Sequence, residues 1–358
     1  MGRKPSDRPT SFDIAYRAGV SQPTVSRALR GSKSISEATR KRIEEIAREL
    51  NYSVDKNASS LRSKRSNTIA LLFFEEDTPD DSKINPFFLA MLSSITRHCA
   101  NRGLDLLISF QRMEDDWHVR YLESHRADGL ILLGYGDYAL YRSRLRQLVE
   151  HGTHFVRWGA VDDPAFGEAI GSDNVSAGRL AGEHLLSLGR RQIAFLGQAD
   201  EHYPEFADRY GGLCEALDAA GITPDPALRR NTISHEDLGR AAMESILSSE
   251  TAFDAVFAAS DLIALGAMSA LRAAGRRVPE DVSVIGFDDL PAAAMTSPPL
   301  TTIAQDITSA GERLVDALLA RIEEREPPSP LIATRLILRE STGPGRRQSE
   351  PGEICAGS

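Results

Sequence analysis

Between residues 18 and 29 the chain reads AGVSQPTVSRAL. At about 100° per residue, Val25, Ala28 and Leu29 fall on one side of a helix, with Pro23, Ser26 and Arg27 opposite and Gln22 and Thr24 at the flanks. Ser21 is placed as an N-cap whose hydroxyl accepts from an early backbone N–H, and Pro23 fits the first turn, where a missing donor is tolerated. Upstream, SFDIAYRAG predicts a second short helix with Ile14, Ala15 and Ala18 inward, and Gly19 suits the left-handed residue that ends it. Downstream, SEATRKRIEEIARELNY is capped by Ser36 and turns Ile43, Ile46, Ala47 and Leu50 inward. Three short helices with a glycine turn between the first two predict a small helix-turn-helix unit.

After residue 66 the pattern changes. The apolar runs TIALLFF, LDLLISF, DGLILLG, HFVRWGA, RQIAFLG, AVFAAS and VSVIGF alternate with helical stretches at 86–102, 174–188, 205–221 and 261–275. Continuous apolar strands between helices predict parallel sheets covered on both faces. There are too many strands for one doubly wound unit, so the expected α/β body has two lobes. The break falls near Asp173 and a return crossing near PPLTTIAQD. The expected division is a helix-turn-helix head at 1–55, a hinge at 56–66 and a body at 67–342. Within the body, one lobe takes 67–172 and 302–328, and the other takes 173–301 and 329–342. The tail 343–358, rich in Gly, Pro, Ser and charge, is expected to be disordered.

Charge separates the same pieces. The chain carries −9 overall, yet residues 1–65 hold fifteen Lys/Arg against seven Asp/Glu, a net +8 that leaves −17 elsewhere. A basic head on an acidic body suggests a polyanion partner for the head alone. In a helix entering the major groove, Arg27 can grip guanine O6 and N7, and Gln22 can grip adenine N6 and N7. Thr10, Thr24 and Ser26 are short donors suited to phosphates, and Ser21 and Pro23 complete the DNA-facing start of the helix. Residues 56–65, KNASSLRSKR, are too short to hold a helix alone, but two copies held side by side on DNA can fold. There Ala58 permits close approach, Leu61 can wedge between base steps from the minor groove, and Arg62 meets phosphate. Read without that context, the same residues make a flexible linker.

At this point DIAYRAGVSQPTVSRAL, ISEATRKRIEEIARELNY, the hinge with Leu61, SDLIALGAM, VPEDVSVIGFDD and PPLTTIAQD together resemble the lactose repressor (LacI/GalR) family of bacterial transcription regulators. The resemblance runs to about residue 342, with the motifs in the family's order. It implies a body like a periplasmic binding protein, a homodimer on a palindromic double-stranded operator, and a small molecule held between the lobes. The chain departs from the family's usual pattern in having Arg30 where Asn is frequent, Val54 where a Pro commonly precedes the hinge, and Ser234 near a frequent stacking aromatic, for which His235 is a weak substitute.

Ligands of open parallel sheets sit outside the strands' carboxyl ends. Phe87 and Phe88 follow the first strand, Trp158, Asp173 and Asp261 follow others, and Arg209 lies early in the helix after AFLGQ. Aromatic faces stack on sugars or bases, while carboxylates and a guanidinium fork can each take two hydroxyls. Core packing also explains the aromatics, Phe88 above all, and helix capping also explains Asp173 and Asp261. The resemblance carries ligand contacts onto all six residues and onto Gln305, with a carbohydrate as the expected effector and a purine or other metabolite as the alternative.

A rival signal is Gly134, Gly136 and Ala139 in G-x-G-x-x-A spacing after a strand, with Arg157 placed to read an NADP phosphate. It falls on the body's third strand, and an oxidoreductase accounts for neither head nor hinge. A free two-lobed sugar receptor would need an export signal and no head. Cys99, Cys214 and Cys355 are few and scattered, no metal spacing or G-x-S-x-G occurs, and no apolar stretch approaches a membrane span. The expectation is a cytoplasmic, non-enzymatic, dimeric repressor needing no cofactor or metal, without the leucine heptads that tie dimers into tetramers.

Overall fold

A computed structural model describes residues 9–29, 32, 34–52, 65–74, 84–111, 115–134 and 137–344. The expectations for Ala58, Leu61, Arg62, Gly136, Arg30, Val54 and residues 345–358 lie outside that set. The chain divides into two compact units, Met1–Ser66 and Asn67–Ser358.

The first unit holds α1 (Ser11–Ala18), α2 (Gln22–Leu29) and α3 (Glu37–Glu49). Ile14, Ala15, Ala18, Val25, Ala28, Ile43 and Ala47 form its core, with Leu29, Ile46 and Leu50 partly buried against it. Gly19 ends α1 at φ 65°, a left-handed conformation that costs a residue with a Cβ, and the Val20 N–H reaches back to Ala15 O at 3.1 Å. Ser36 caps α3 by accepting from Thr39 N–H. Ser21 differs from expectation. Its hydroxyl shares a 2.8 Å bond with the Thr24 hydroxyl, while its carbonyl accepts from the Thr24 and Val25 N–H groups.

The second unit contains two six-stranded sheets. In the first lobe, β1 (Thr68–Phe74), β2 (Asp105–Gln111), β3 (Gly129–Leu133), β4 (Phe155–Trp158), β5 (Glu168–Ser172) and β11 (Leu331–Ile332) lie in the order β11-β5-β4-β3-β1-β2, all parallel. The helices α4 (Pro86–Asn101), α5 (Tyr138–Glu150) and α10 (Ile307–Ile322) accompany it. The second lobe joins β6 (Ile193–Leu196), β7 (Arg229–Arg230), β8 (Ala255–Ala258), β9 (Ser283–Asp288), β10 (Thr301–Gln305) and β12 (Thr334–Ile337) in the order β12-β10-β9-β8-β6-β7. Its helices are α6 (Asn174–Ser187), α7 (Pro204–Ala219), α8 (Glu236–Ser248) and α9 (Asp261–Ala273). Within this sheet β12 runs antiparallel to β10.

The chain crosses between lobes after β5, after β10 and between β11 and β12. Two expected boundaries therefore move. β10 belongs to the second lobe, so the first lobe resumes at Asp306 instead of 302. The second lobe resumes near Thr334 instead of 329, because Leu331 and Ile332 pair with Gly171 and Ser172. The apolar run at 301–304 fits either sheet, and only its pairing with β9 decides. A two-residue strand such as β11 has no period to read.

Candidate effector cleft and nucleic-acid interface

In the head, α2 presents Pro23 and Arg27 to solvent, with Gln22, Thr24 and Ser26 half-buried. Gln22 Nε2 donates to Ser11 Oγ at 3.2 Å and so bridges the first two helices. Thr10 directs both its N–H and its hydroxyl to the Asp13 carboxylate at 2.7 Å, which makes it the cap of α1. Sequence reasoning passed over Phe12 and Tyr16, one turn apart on α1 and 68% and 90% exposed. Their signal was an aromatic pair standing off the helix's inward stripe.

In the body, the loops beyond the strands' carboxyl ends meet across the lobes. Asn85, which caps α4, donates from Nδ2 to Ser234 Oγ at 3.2 Å, and Ser234 donates on to Ser260 at 2.8 Å. Elsewhere Ala160 N–H donates to Glu205 Oε1 at 2.9 Å, and Tyr138 N–H donates to His202 O at 2.9 Å. His202 Nδ1 also lies 2.7 Å from Asp137 Oδ1, a contact that raises the imidazole's pKa. A hydrogen-bonded chain joins the ends of β5 and β10, beyond which the chain crosses between lobes, to the end of β9. Ser172 at the end of β5 donates to Gln305 Oε1 at 2.6 Å, and Gln305 Nε2 at the end of β10 donates to Asp288 Oδ1 at 2.7 Å.

Arg209 is the cation of this constellation. It reaches inward because α6 and α7 pack at glycine contacts: a Cβ on Gly178 would stand 2.0 Å from Arg209 O. The guanidinium donates through Nε to Asn174 Oδ1 at 2.9 Å and through Nη1 to Ala259 O, and it lies 3.5 Å from the centre of the Phe287 ring. Its charge bears on Asp288, which is 1% exposed, has no partner for Oδ2 and has φ 117°. Burial pushes the Asp288 carboxyl up to about 7, against the opposing pull of Arg209 and the Gln305 bond. Asp288 thus combines a φ that disfavours a Cβ with a buried oxygen lacking a partner, two features that cluster at functional sites. Sequence reasoning missed Asp288, although its place at the end of the run VSVIGFD was the available signal.

The expected effector residues separate into different roles. Phe87 and Phe88 are buried in the first lobe's core, with ring centroids 5.3 Å apart, and Phe87 packs on Trp158 at 5.9 Å. Core packing thus accounts for Phe87 as well as Phe88, and neither offers an open face. Trp158 also lines a cavity with Phe74, Gly134, Tyr138, Tyr141, Arg157 and Glu205, which has about 30 Å³ of space for a water-sized occupant. Asp173 caps α6 by accepting from Ser176 N–H at 3.0 Å. Asp261 is fully buried and both its oxygens are occupied, by Thr302 Oγ1 at 2.6 Å and Leu290 N–H at 2.7 Å. Burial and the neighbouring Asp288 raise its carboxyl's pKa well above the ordinary range. This carboxyl staples β10 to the turn after β9, and the carboxyl on which the Arg209 charge acts is that of Asp288.

The rest of the expected chemistry also shifts. Ser234 replaces a stacking face with a cross-lobe hydrogen bond, and His235 is the cap of α8, its ring nitrogen accepting from Asp237 N–H at 3.2 Å. Arg157 does not stand ready for a cofactor phosphate: it pairs with Asp162, donates to Ala160 O at 2.9 Å and lies over the Tyr138 ring at 5.1 Å. Among the described residues no group of His, Cys, Asp and Glu is arranged to hold a metal ion, and no helix is long and apolar enough to cross a membrane.

Comparison with known proteins places this geometry. Residues 12–55 match the model for bacterial regulatory proteins of the lacI family, and residues 183–342 match the periplasmic binding protein-like domain. The HTH-type transcriptional regulator CelR of Thermobifida fusca is 34% identical over 93% of this chain and 98% of its own. The HTH-type transcriptional repressor PurR of Aliivibrio salmonicida is 31% identical over 88% of this chain and 93% of its own. Among solved structures, a lac repressor dimer bound to operator and the anti-inducer ONPF superposes with a TM-score of 0.79 at 27% identity, covering 94% of this chain and 99% of that one. A CelR–cellobiose complex superposes with a TM-score of 0.68 at 33% identity, covering 93% and 100%.

Proposed function

The chain belongs to the LacI family of bacterial transcription regulators, and from that premise we propose that it is a dimeric, cytoplasmic repressor. It binds operator DNA through its head and is switched by a sugar between the lobes of its body. The reading is carried by the chain from Arg209 through Asp288 and Gln305 to Ser172, because it ties a buried polar site to the strands where the chain passes between lobes. An effector hydroxyl that engages Asp288 alters that relay. A ligand preferring one lobe arrangement shifts the equilibrium, and by linkage DNA alters ligand affinity by the same factor.

On DNA, Arg27 reads guanine, Gln22 turns from Ser11 to a base edge, and Thr10, Ser21, Thr24, Ser26 and the Tyr16 phenol approach phosphates. Ala58, Leu61 and Arg62 supply the minor-groove contact. A second copy covers Ile108 and Phe110, 47% and 49% exposed on the edge strand β2, together with exposed Leu89 on α4. A sugar effector is supported by the CelR–cellobiose complex and by a buried guanidinium whose charge acts on a buried carboxyl at the strand ends. Gene regulation needs no chemical step, and the chain is proposed to have no enzymatic activity.

The test selects bound sequences from a random DNA pool and compares the wild type with Arg27→Ala. The variant should lose about 1–3 kcal/mol on the selected site and relax preference at one base pair per half-site. Equal losses on selected and random DNA would reduce Arg27 to a phosphate contact, and absence of any selected sequence would refute the operator reading.

A further inference from the structure

Gln22 and Arg27 are held differently before DNA arrives, and this inference rests on the reading of α2 as the helix that enters the major groove. The Gln22 amide donates to the hydroxyl of Ser11, the first residue of α1, at 3.2 Å, a part-buried bond between side chains eleven positions apart. Arg27 is exposed. Among the described residues its guanidinium makes one long hydrogen bond, 3.4 Å from Nε to the Pro23 carbonyl one turn back on its own helix.

A reader that hydrogen-bonds a base gains much of its specificity from what a wrong base leaves unpaired. When DNA covers the head, an Arg27 facing a base other than guanine loses water and meets no matching pair of acceptors in return. Gln22 has an alternative. At adenine it turns from Ser11 to N6 and N7, giving up one bond for two, whereas at any other base it stays on Ser11 with its amide satisfied. The Ser11 hydroxyl thus acts on both sides of the comparison. It weakens binding to the right base by the bond that is broken, and it relieves the wrong base of a stranded amide.

We propose that Ser11 is a specificity-determining residue of the head. As a second partner for Gln22 it blunts base discrimination at one pair in each half-site, so that the operator is read strictly where Arg27 sits and loosely where Gln22 sits.

The test selects sites from a random DNA pool with the full-length chain, then titrates the selected site and each of its single-base changes with the wild type, Ser11→Ala, Ser11→Thr, Gln22→Ala, Arg27→Ala and the double variant Ser11→Ala/Gln22→Ala. Melting curves report whether each variant folds. In the wild type, the pair whose preference disappears in Gln22→Ala should be discriminated less than the pair whose preference disappears in Arg27→Ala. Ser11→Ala should sharpen discrimination at the Gln22 pair by roughly two- to tenfold, the worth of one intramolecular hydrogen bond, and leave the other pairs as they were. The sharpening should vanish in the double variant, and Ser11→Thr, which keeps the hydroxyl, should behave as the wild type. Unchanged discrimination at that pair in Ser11→Ala overturns the proposal, as does a fall, which would make Ser11 a support that aims Gln22. A change equal at every pair, or one that persists in the double variant, reduces Ser11 to a phosphate contact and overturns it too. Equal discrimination at the two pairs in the wild type overturns it without any Ser11 variant. If Gln22→Ala leaves every preference intact, Gln22 is not a base reader and this inference falls with that assignment, while the Arg27 pair still carries the operator reading.

Discussion

The two lobes use related sheets to opposite ends. At the strand ends of the first, Phe87, Phe88 and Trp158 close an aromatic cluster; at those of the second, Arg209, Asp261, Asp288 and Gln305 are buried with their polar atoms almost fully paired. Both lobes rest on apolar cores, but at the strand ends one is filled by aromatic rings and the other by a buried polar network. The difference teaches where pH can act: packing is indifferent to protons, whereas a buried carboxylate network titrates with its own stability.

The contrast breaks most sharply at Phe88. Phe88→Ala should cost about 3–5 kcal/mol in urea unfolding, by an amount that stays the same between pH 5 and pH 8. Arg209→Ala should cost about 3 kcal/mol at pH 8, because Asp288 is then ionised without its cation, and distinctly less at pH 5. A pH-independent loss would reduce Arg209 to a packing element. Asp288→Asn sharpens the comparison in the other direction. The carboxyl titrates at about 7 in the fold and near the ordinary 3.8 when exposed. Its contribution to stability is therefore present below that ordinary value and is lost as pH rises through about 7. Asn should raise stability by about 1 kcal/mol at pH 8, with the gain vanishing toward pH 4. The smallest effect belongs to His202→Ala at the half-exposed rim, where water screens the Asp137 contact. Its raised pKa means the Asp137 contact contributes below the imidazole's ordinary pKa and fades as pH rises through the folded value, so the wild-type and variant melting curves should converge at alkaline pH.

Much of this arrangement was legible in the sequence. Runs such as TIALLFF and DGLILLG sit at the centre of a sheet, so they are apolar on both faces and identify themselves. The helix-turn-helix was equally plain, because Gly19 and the inward positions of α1 and α2 agree with one another. Short edge strands such as β7 and β11 went unread, since two residues carry no period. The allocation of β10 depended on a pairing over distance. In the cleft, sequence reasoning chose Asp261 and passed over Asp288. Both are acidic residues at strand or helix ends, and only the Thr302 and Leu290 bonds show both oxygens of Asp261 to be occupied, while one oxygen of Asp288 has no partner.

The threefold passage of the chain between lobes also governs the order in which the protein can be made. The head's three helices are complete once residue 49 has left the ribosome, whereas the first lobe awaits Leu331 and Ile332 for its edge, and the second awaits Thr334–Ile337. Translation thus delivers a folded head many seconds before a body able to receive its signal, at the usual rate of about 5–20 residues per second. Truncated chains from interrupted synthesis carry the address for DNA without the switch. Only when Thr334–Ile337 has been read does the head come under control.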